Sequence, residues 1–369
     1  MKNLVSLSAL CLIILSFISC NKDIGKEVEN IQVGESKNSN LKSTEAIVAA
    51  YDNFYDGIDW SFTNTPSIPS SPGAWTLCGY SSNNRWGRLS WNWTACPLYP
   101  SLASSSGSYL QLQVPGNLQK KGAQIETIRQ DYWYGSYRAK IKAGGHSSGT
   151  TSQGSCNGFF YYNGSTQQEI DVEILNMEHT SKKVHFSTHP GSWTQVYTLP
   201  SDPTTSYIEY GFDWYANKID FFVNGTKIQL PGTPTVPSAL GKIILNNWTG
   251  NSWAGSPPPS VSNMSVDYVW HVPFLLVTYP DASGIVWTKG KSKTITWNKY
   301  GDVAANTVKI ELWKNGSLYQ TINSGASNTG TYAWTVPTSL PSASNYQIKI
   351  KSNLNSNYFD LSNNGFTIQ

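Results

Sequence analysis

Residues 167–175 read Gln167-Gln-Glu-Ile-Asp-Val-Glu-Ile-Leu175 and decide the expected architecture. Successive side chains of a β-strand point to opposite faces of the sheet. Glu169, Asp171 and Glu173 therefore share one face of a predicted strand, and three apolar side chains share the other. Any antiparallel strand with one solvated face shows this alternation, so the pattern by itself predicts a strand and no chemistry.

The three acidic residues are an unfavourable choice for a strand that serves only structure. At about 6.5 Å and an effective dielectric constant near 20, each adjacent pair of carboxylates repels by about 2.5 kcal/mol. This repulsion predicts that one carboxyl stays protonated at neutral pH. Cleavage of a glycosidic bond needs one carboxyl to protonate the departing oxygen and another to attack or stabilise the sugar carbon. The sequence therefore favours cleavage of a sugar chain.

The order Glu-Ile-Asp-Val-Glu resembles the signature of glycoside hydrolase family sixteen, whose members are retaining endo-glucanases and relatives on a curved β-jelly-roll. The resemblance implies Glu169 as the nucleophile, Asp171 as the residue that orients and tunes it, and Glu173 as the acid/base. One residue separates Asp171 from Glu173, as in the branch that holds lichenases and xyloglucan-active enzymes. Many laminarinases, agarases and carrageenases carry an extra residue there. Similar stretches extend, with gaps, from about residue 55 to residue 273.

The same resemblance implies residues that bind the substrate. Asn246 and Trp248 match positions that contact the sugar near the cleavage point, and Trp253 follows closely. An indole would stack on a glucose face, and an amide would hydrogen-bond its hydroxyls. A Trp of the sandwich core beside a loop is the alternative for Trp248. His185 matches a position that faces the cleft, where a polar neighbour is expected rather than a second base.

Two positions depart from the lichenase pattern and predict altered substrate recognition. Gln167 stands where a stacking Trp precedes the nucleophile, and Glu126 stands where an Arg is common. Arg129 is the candidate for the missing cation. Asp267 matches an aspartate that holds a structural calcium ion in many family members, so the resemblance implies a calcium site there, with an exposed strand carboxylate as the alternative.

The composition of the chain and the spacing of its turn-forming residues predict an all-β protein. Of its 369 residues 39% are hydrophobic and 13% charged, and the formal net charge of +3 gives no indication of a nucleic-acid partner. From Tyr51 onward, short apolar or aromatic runs alternate with Gly, Pro, Ser and Asn, which is typical of a β-sandwich or barrel. Asn224-Gly225 between two alternating runs predicts a type I′ hairpin.

Four segments are predicted along the chain. Residues 1–19 form a signal peptide, 20–48 a lipidated tether, 49–274 a curved jelly-roll β-sandwich catalytic domain, and 275–369 a small immunoglobulin-like β-sandwich. The last segment resembles the C-terminal modules of the yeast wall-glucan-synthesis type. Its Trp residues are candidates for sugar stacking, although a small sandwich needs aromatic residues in its core and that role is favoured.

The cysteines bear on export and on location. Phe17-Ile18-Ser19-Cys20 resembles a bacterial lipobox, in which Cys20 becomes the lipid-modified first residue. An enzyme held at the cell envelope is therefore expected, with release into the medium as the alternative. Cys78, Cys96 and Cys156 remain, an odd number that permits one disulfide and one thiol. Cys78 with Cys96 is the preferred pair, and the sequence leaves pairs with Cys156 open.

The predicted function is that of a retaining endo-β-glucanase, with mixed-linkage β-1,3-1,4-glucan as the preferred substrate. A xyloglucanase, a β-1,3-glucanase, a transglycosylase of the same family and a non-catalytic surface glycan-binding protein remain as alternatives. Catalysis is expected to need no cofactor. The expected partners are a polysaccharide and, through the lipid anchor, a membrane, and the protein is expected to be a monomer.

Overall fold

The computed structural model describes residues 50–52, 75–77, 103–105, 109–118, 120–127, 130, 132–145, 152–301 and 307–369. The predicted signal peptide and tether, Cys20, Arg129 and the Cys78–Cys96 pair lie outside these residues. Among the helices of the described part, none is long and apolar enough to span a membrane.

The N-terminal domain is built from strands, with one short 3-10 helix, Asn176–Ser181, in its described part. In chain order the strands are β1 (Ala50–Asp52), β2 (Trp75–Leu77), β3 (Ala103–Ser105), β4 (Leu110–Val114), β5 (Ala123–Thr127), β6 (Gly135–Lys142), β7 (Cys156–Asn163), β8 (Gln168–Leu175), β9 (Lys183–His189), β10 (Trp193–Thr198), β11 (Ile208–Trp214), β12 (Ile219–Val223), β13 (Thr226–Lys227), β14 (Lys242–Trp248) and β15 (Ser262–Val272).

These strands form two antiparallel sheets that pack face to face. Within the described residues, the eight-stranded sheet has the order β13-β12-β11-β6-β15-β4-β3, with β1 also paired to β15. The seven-stranded sheet has the order β10-β9-β8-β7-β14-β5-β2. Rings from the two sheets meet between them, since Phe159 contacts Phe212 at 5.8 Å between centroids and Tyr161 contacts Trp214 at 4.3 Å. The predicted all-β, jelly-roll-like sandwich is confirmed.

The alternation predicted for residues 167–175 is present in β8. Ile170, Val172 and Ile174 are fully buried in the core between the sheets. Burial of three such side chains stabilises the strand by about 1.5–3 kcal/mol for each. The acidic residues consequently lie on the other side of the seven-stranded sheet, which we call its outer face.

The predicted Asn-Gly hairpin joins β12 to β13. Asn224 has φ 48° and Gly225 has φ 71°, the left-handed conformations that a type I′ turn requires. The second strand is shorter than the alternating run, because only Thr226–Lys227 continues the pairing.

The C-terminal module is a second, smaller β-sandwich. Its strands in the described residues are β16 (Leu275–Tyr279), β17 (Val286–Trp287), β18 (Ser292–Lys299), β19 (Thr307–Lys314), β20 (Ser317–Ser327), β21 (Thr331–Thr335), β22 (Ala343–Ser352), β23 (Phe359–Leu361) and β24 (Phe366–Ile368). They form a three-stranded and a six-stranded sheet. Trp287, Trp297 and Trp334 are buried between these sheets, which confirms the predicted core role, whereas Trp313 is partly exposed.

One residue of the module packs into the core of the first domain. The ring of Tyr358 contacts Phe274 at 5.2 Å and Tyr134 at 5.8 Å, and its hydroxyl oxygen accepts a hydrogen bond from the backbone N–H of Ala216 at 2.9 Å. Phe274 belongs to the first core and Leu275 to the second. The two domains therefore share packing as well as a chain connection.

Candidate active site

Strand pairing gives the acidic residues of β8 cross-strand neighbours on the outer face. Glu173 lies opposite His185 on β9 and opposite Gly158 on β7. Glu169 lies opposite His189 at the other end of the paired stretch. Because β8 is central in the seven-stranded sheet, the carboxyl groups have neighbours on both sides.

The first two carboxyl groups, those of Glu169 and Asp171, are hydrogen-bonded to each other in a poorly solvated place. Burial raises the pKa of Asp171 well above its usual value, and the charges of Glu169 and Glu173 raise it further. Burial and then the charge of Glu173 raise the pKa of Glu169 to about 8, while a hydrogen bond from Asp171 opposes that rise. The hydrogen bond from Asp171 therefore favours the ionised form of Glu169, although burial keeps the pKa of Glu169 raised.

The third carboxyl group is held by two donors. The Trp253 Nε1–H donates to Oε2 of Glu173 at 3.1 Å, and the Cys156 thiol donates to Oε1 at 3.3 Å. Burial raises the pKa of Glu173, and these two hydrogen bonds and the nearby His185 oppose the rise. The predicted retention of a proton among the three carboxyl groups agrees with all three pKa directions.

The two histidines of β9 occupy the outer face beside the acidic row. His185 Nε2 lies 2.7 Å from Glu178 Oε2, and its ring packs edge-on against Trp253 at 4.8 Å between centroids. His189 Nε2 lies 3.7 Å from Asp171 Oδ2, and burial lowers the pKa of this half-exposed histidine. His185 thus packs against Trp253, and His189 is a neighbour of Asp171 that was not predicted from the sequence.

Asn246 lies on the outer face in the same cross-strand line as Glu173, near the cleavage point that the resemblance implied. Its Nδ2 donates to Gln124 Oε1 at 3.3 Å, while its buried Oδ1 has no hydrogen-bond partner among the described residues. Gly158 separates Asn246 from Glu173, and a Cβ at Gly158 would lie 2.4 Å from that Oδ1. The glycine therefore leaves room for the amide oxygen beside the Glu173 carboxyl.

The structure does not support the sugar-stacking role expected of Trp248. This residue is only 4% exposed and packs in a small apolar cluster with Cys156, Leu175 and Ala254. A ring buried in this way offers little surface to a sugar. The partly exposed Trp253 is closer to the chemistry through its hydrogen bond to Glu173.

The two departures from the lichenase pattern have structural consequences. Glu126 is fully buried on β5 and forms an ion pair with Lys242 of β14, with 2.6 Å between Oε1 and Nζ. Lys242 is therefore the cation beside Glu126, in the place for which Arg129 was the sequence candidate. Gln167 is exposed in a left-handed conformation with φ 51°, next to Gln168, whose Oε1 accepts hydrogen bonds from two backbone N–H groups.

Two places on the domain bear on metal binding. Asp267, the residue for which calcium was expected, forms an ion pair with Lys140 at 2.8 Å, and both side chains are 37% exposed. Calcium favours several oxygen ligands, and this pairing gives Asp267 a positive partner instead. In the described part of the chain, ligand atoms of Glu169, Asp171 and His189 lie within 4.8 Å of one another. Two of these three residues, Glu169 and Asp171, belong to the acidic row of β8.

The fold and the site together define a two-sheet β-sandwich with a catalytic-type carboxyl row on the outer face of one sheet. Residues 90–269 match the family model of Glycosyl hydrolases family 16, and residues 281–368 match that of the Kre9/KNH-like N-terminal Ig-like domain. The chain thus contains a glycosyl hydrolase family 16 domain followed by a Kre9/KNH-like immunoglobulin-like domain.

Individual relatives are similar over parts of the chain. Beta-glucanase from Bacillus amyloliquefaciens is 32% identical over 135 residues, which cover 34% of this chain and 54% of the relative. Beta-glucanase from Acetivibrio thermocellus is 28% identical over 219 residues, which cover 55% and 60%. The chain spans about half the length of the curated relatives it matches. The solved structure of Bacillus licheniformis beta-glucanase aligns with a TM-score of 0.46 and 24% identity over 61% of this chain and 97% of that one.

Proposed function

We propose that the protein is a retaining, endo-acting β-glucan hydrolase and that its preferred substrate is mixed-linkage β-1,3-1,4-glucan. The observation that carries the proposal is the row of Glu169, Asp171 and Glu173, in which the first two are hydrogen-bonded to each other and the third accepts hydrogen bonds from Trp253 and Cys156. Relatives that are named beta-glucanases support the substrate class.

The proposed reaction has two steps and uses carboxyl groups of this chain alone. Ionised Glu169 attacks the anomeric carbon while protonated Glu173 gives its proton to the departing glycosidic oxygen, so that a glycosyl ester forms on Glu169. Ionised Glu173 then takes a proton from water, whose oxygen attacks the same carbon and releases Glu169. The hydrogen bond from Asp171 opposes the rise in the pKa of Glu169 and so stabilises the Glu169 carboxylate before attack and after release.

Substrate recognition is proposed to involve the residues that lie in the same cross-strand line as Glu173. The unpartnered Oδ1 of buried Asn246 is a hydrogen-bond acceptor for a sugar hydroxyl, because an unsatisfied buried oxygen gains most from a new donor. Trp253 and His185 border the same row. The Asn246→Ala variant is expected to raise KM on the substrate more than Asn246→Asp does, because only the aspartate keeps an acceptor oxygen.

A polysaccharide panel with product sizes tests the substrate class. We expect mixed-linkage glucan to be cut into short oligosaccharides, and laminarin, xyloglucan, agar and carrageenan to be cut more slowly or not at all. Faster cleavage of xyloglucan or laminarin would identify the protein as a xyloglucanase or a β-1,3-glucanase. Products longer than the starting chains would identify a transglycosylase.

The rival function from another class is a surface protein that binds glycan without cleaving it. The intact set of Glu169, Asp171 and Glu173 favours the enzyme, because a binding protein does not need three carboxyl groups that repel each other. Glu169→Gln is expected to abolish hydrolysis and keep the fold, since an amide preserves shape and forms no glycosyl ester. Binding of mixed-linkage glucan by the wild type without any product would favour the rival.

We also propose that the enzyme is a monomer anchored to the cell envelope through Cys20. The support is the sequence alone: an apolar export segment, the lipobox-like stretch that ends at Cys20, and a polar tether. Metabolic labelling with a fatty acid is expected to mark the wild type and not Cys20→Ala. Equal label in both, or label in neither, would contradict the anchor and favour secretion.

A further inference from the structure

The two oxygens of Glu173 have hydrogen-bond partners of different kinds. Oε2 accepts from Trp253 Nε1, and Oε1 accepts from the Cys156 Sγ. An indole N–H is a donor only, whereas a thiol is both a weak donor and a weak acceptor. Oε2 must therefore remain an acceptor in both protonation states of Glu173. Oε1 can carry the proton of Glu173, because its thiol partner can act as an acceptor as well as a donor.

The thiol is fixed in this position by its surroundings. Cys156 begins β7, is fully buried, and is a free cysteine among the described residues. It lies opposite Leu175 and Trp248 in the ladder and packs with both in one apolar cluster. Burial and the charge of Glu173 raise the pKa of the Cys156 thiol well above its usual value, so the sulfur keeps its proton at the pH of catalysis.

We propose that Cys156 is a positioning residue that lets Oε1 of Glu173 gain and lose the catalytic proton. The inference rests on the proposed function and deepens its acid/base step. While Glu173 is ionised, the S–H donates to Oε1 and holds the carboxylate in place. When Oε1 is protonated, the thiol gives up that hydrogen bond or accepts one, at little cost because S–H hydrogen bonds are weak.

The proton inventory of the cycle balances without the thiol proton. In the first step, the proton on Oε1 moves to the glycosidic oxygen as the bond from that oxygen to the anomeric carbon breaks and the ester from that carbon to Glu169 forms. In the second step, a proton of water moves to Oε1 as the water oxygen bonds to the anomeric carbon and the ester to Glu169 breaks. Cys156 remains a neutral thiol throughout, and Trp253 keeps its hydrogen bond to Oε2.

The pH profile of kcat/KM distinguishes this role from simple core filling. The basic limb reports loss of the proton from Glu173 in the free enzyme. Cys156→Val fills the same space and removes the donor to the carboxylate, so its basic limb is expected to move upward by about half a pH unit. Cys156→Ser keeps a group that both donates and accepts, so its basic limb is expected at or below that of the wild type.

Leu175→Val is the matched control, because it perturbs the same apolar cluster without touching a hydrogen bond of Glu173. Its basic limb is expected to coincide with that of the wild type. A profile of Cys156→Val that also coincides with the wild type would overturn the inference. So would an equal upward shift in Cys156→Val and Cys156→Ser, because loss of the sulfur, rather than loss of a donor, would then be the cause.

An infrared measurement tests the same contact if Cys156→Val does not fold. The S–H stretching band of Cys156, taken as the difference between the wild type and Cys156→Ser, is expected to shift with pH as Glu173 titrates. A band that does not move with pH would overturn the inference. A wild type that cleaves no polysaccharide but shows the band shift would contradict the proposed function alone, so the two failures are distinguishable.

Discussion

Replacing Glu169 with Gln is expected to stabilise the protein at neutral pH while it removes the nucleophile. Burial and the charge of Glu173 raise the pKa of Glu169 from 4.5 to about 8 in the folded protein. A carboxyl with a raised pKa binds its proton more tightly in the folded state than in the unfolded state. Its contribution to the free energy of unfolding is therefore largest at low pH and falls as the pH rises from 4.5 towards 8.

The pH range between the two pKa values of Glu169 sets the size of the change in stability. A loss of about 1.4 kcal/mol per pH unit between pH 4.5 and pH 7 gives an upper limit of about 3 kcal/mol. Partial exposure of the Glu169 side chain and its coupling to Asp171 reduce this to about 1–2 kcal/mol. For a domain of this size, the Tm of Glu169→Gln at pH 7 should then exceed that of the wild type by about 3–6 °C. At pH 5 most of the difference should be lost.

Calorimetry at pH 5, 6, 7 and 8 measures this dependence. Asp220→Asn in the same domain is the control of opposite sign. Although burial acts to raise the pKa of Asp220, hydrogen bonds from Lys218 and Lys227 lower it overall. Its charge therefore stabilises the fold at neutral pH, and that stabilisation is lost as the pH falls through the lowered pKa. A Glu169→Gln variant less stable than the wild type at pH 7, or equally shifted at every pH, would refute the reasoning.

Three further predictions concern residues outside the acidic row. Lys242→Met should lower the free energy of unfolding by about 3 kcal/mol, because it breaks the buried ion pair with Glu126. In a double-mutant cycle, adding Glu126→Gln should restore most of the lost stability, and additive losses would contradict the ion pair. Tyr358→Ala, or a cut near residue 275, should lower the Tm of the N-terminal domain by about 5 °C or more and leave kcat on soluble glucan at low temperature largely unchanged, since Tyr358 packs in the core and the acidic row lies on the outer face. An unchanged Tm would contradict this packing. Chelation of calcium should leave the Tm unchanged because Lys140 already neutralises Asp267, and a fall in Tm that calcium reverses would contradict this expectation.

The sequence predicted what depends on local periodicity. The apolar face of β8 and the Asn224-Gly225 turn were predictable, because strand alternation and positive φ angles follow from neighbouring residues. Asn246 was found by resemblance, and the structure places it in the row of Glu173. The same alternation applied to residues 183–189 would have placed His189 on the outer face together with His185.

What the sequence could not show depends on register between strands that are distant in the chain. Cys156 reaches Glu173 because β7 pairs with β8, and Lys242 reaches Glu126 across 116 residues because β14 pairs with β5. Trp248 was expected on the sugar, and the structure buries it in a cluster with Cys156 and Leu175 against which Trp253 packs. Composition and spacing carry no information on such contacts.

The configuration of newly formed reducing ends is the most direct test of the proposed mechanism. Mixed-linkage glucan is mixed with the wild-type protein in an NMR tube, and the anomeric proton signals are followed before mutarotation equilibrates them. Attack by Glu169 and then by water inverts the anomeric carbon twice, so the β-anomer should appear first and the α-anomer only later. An α-anomer that appears first, or the β-anomer formed at an undiminished rate by Glu169→Gln, would contradict a glycosyl intermediate on Glu169.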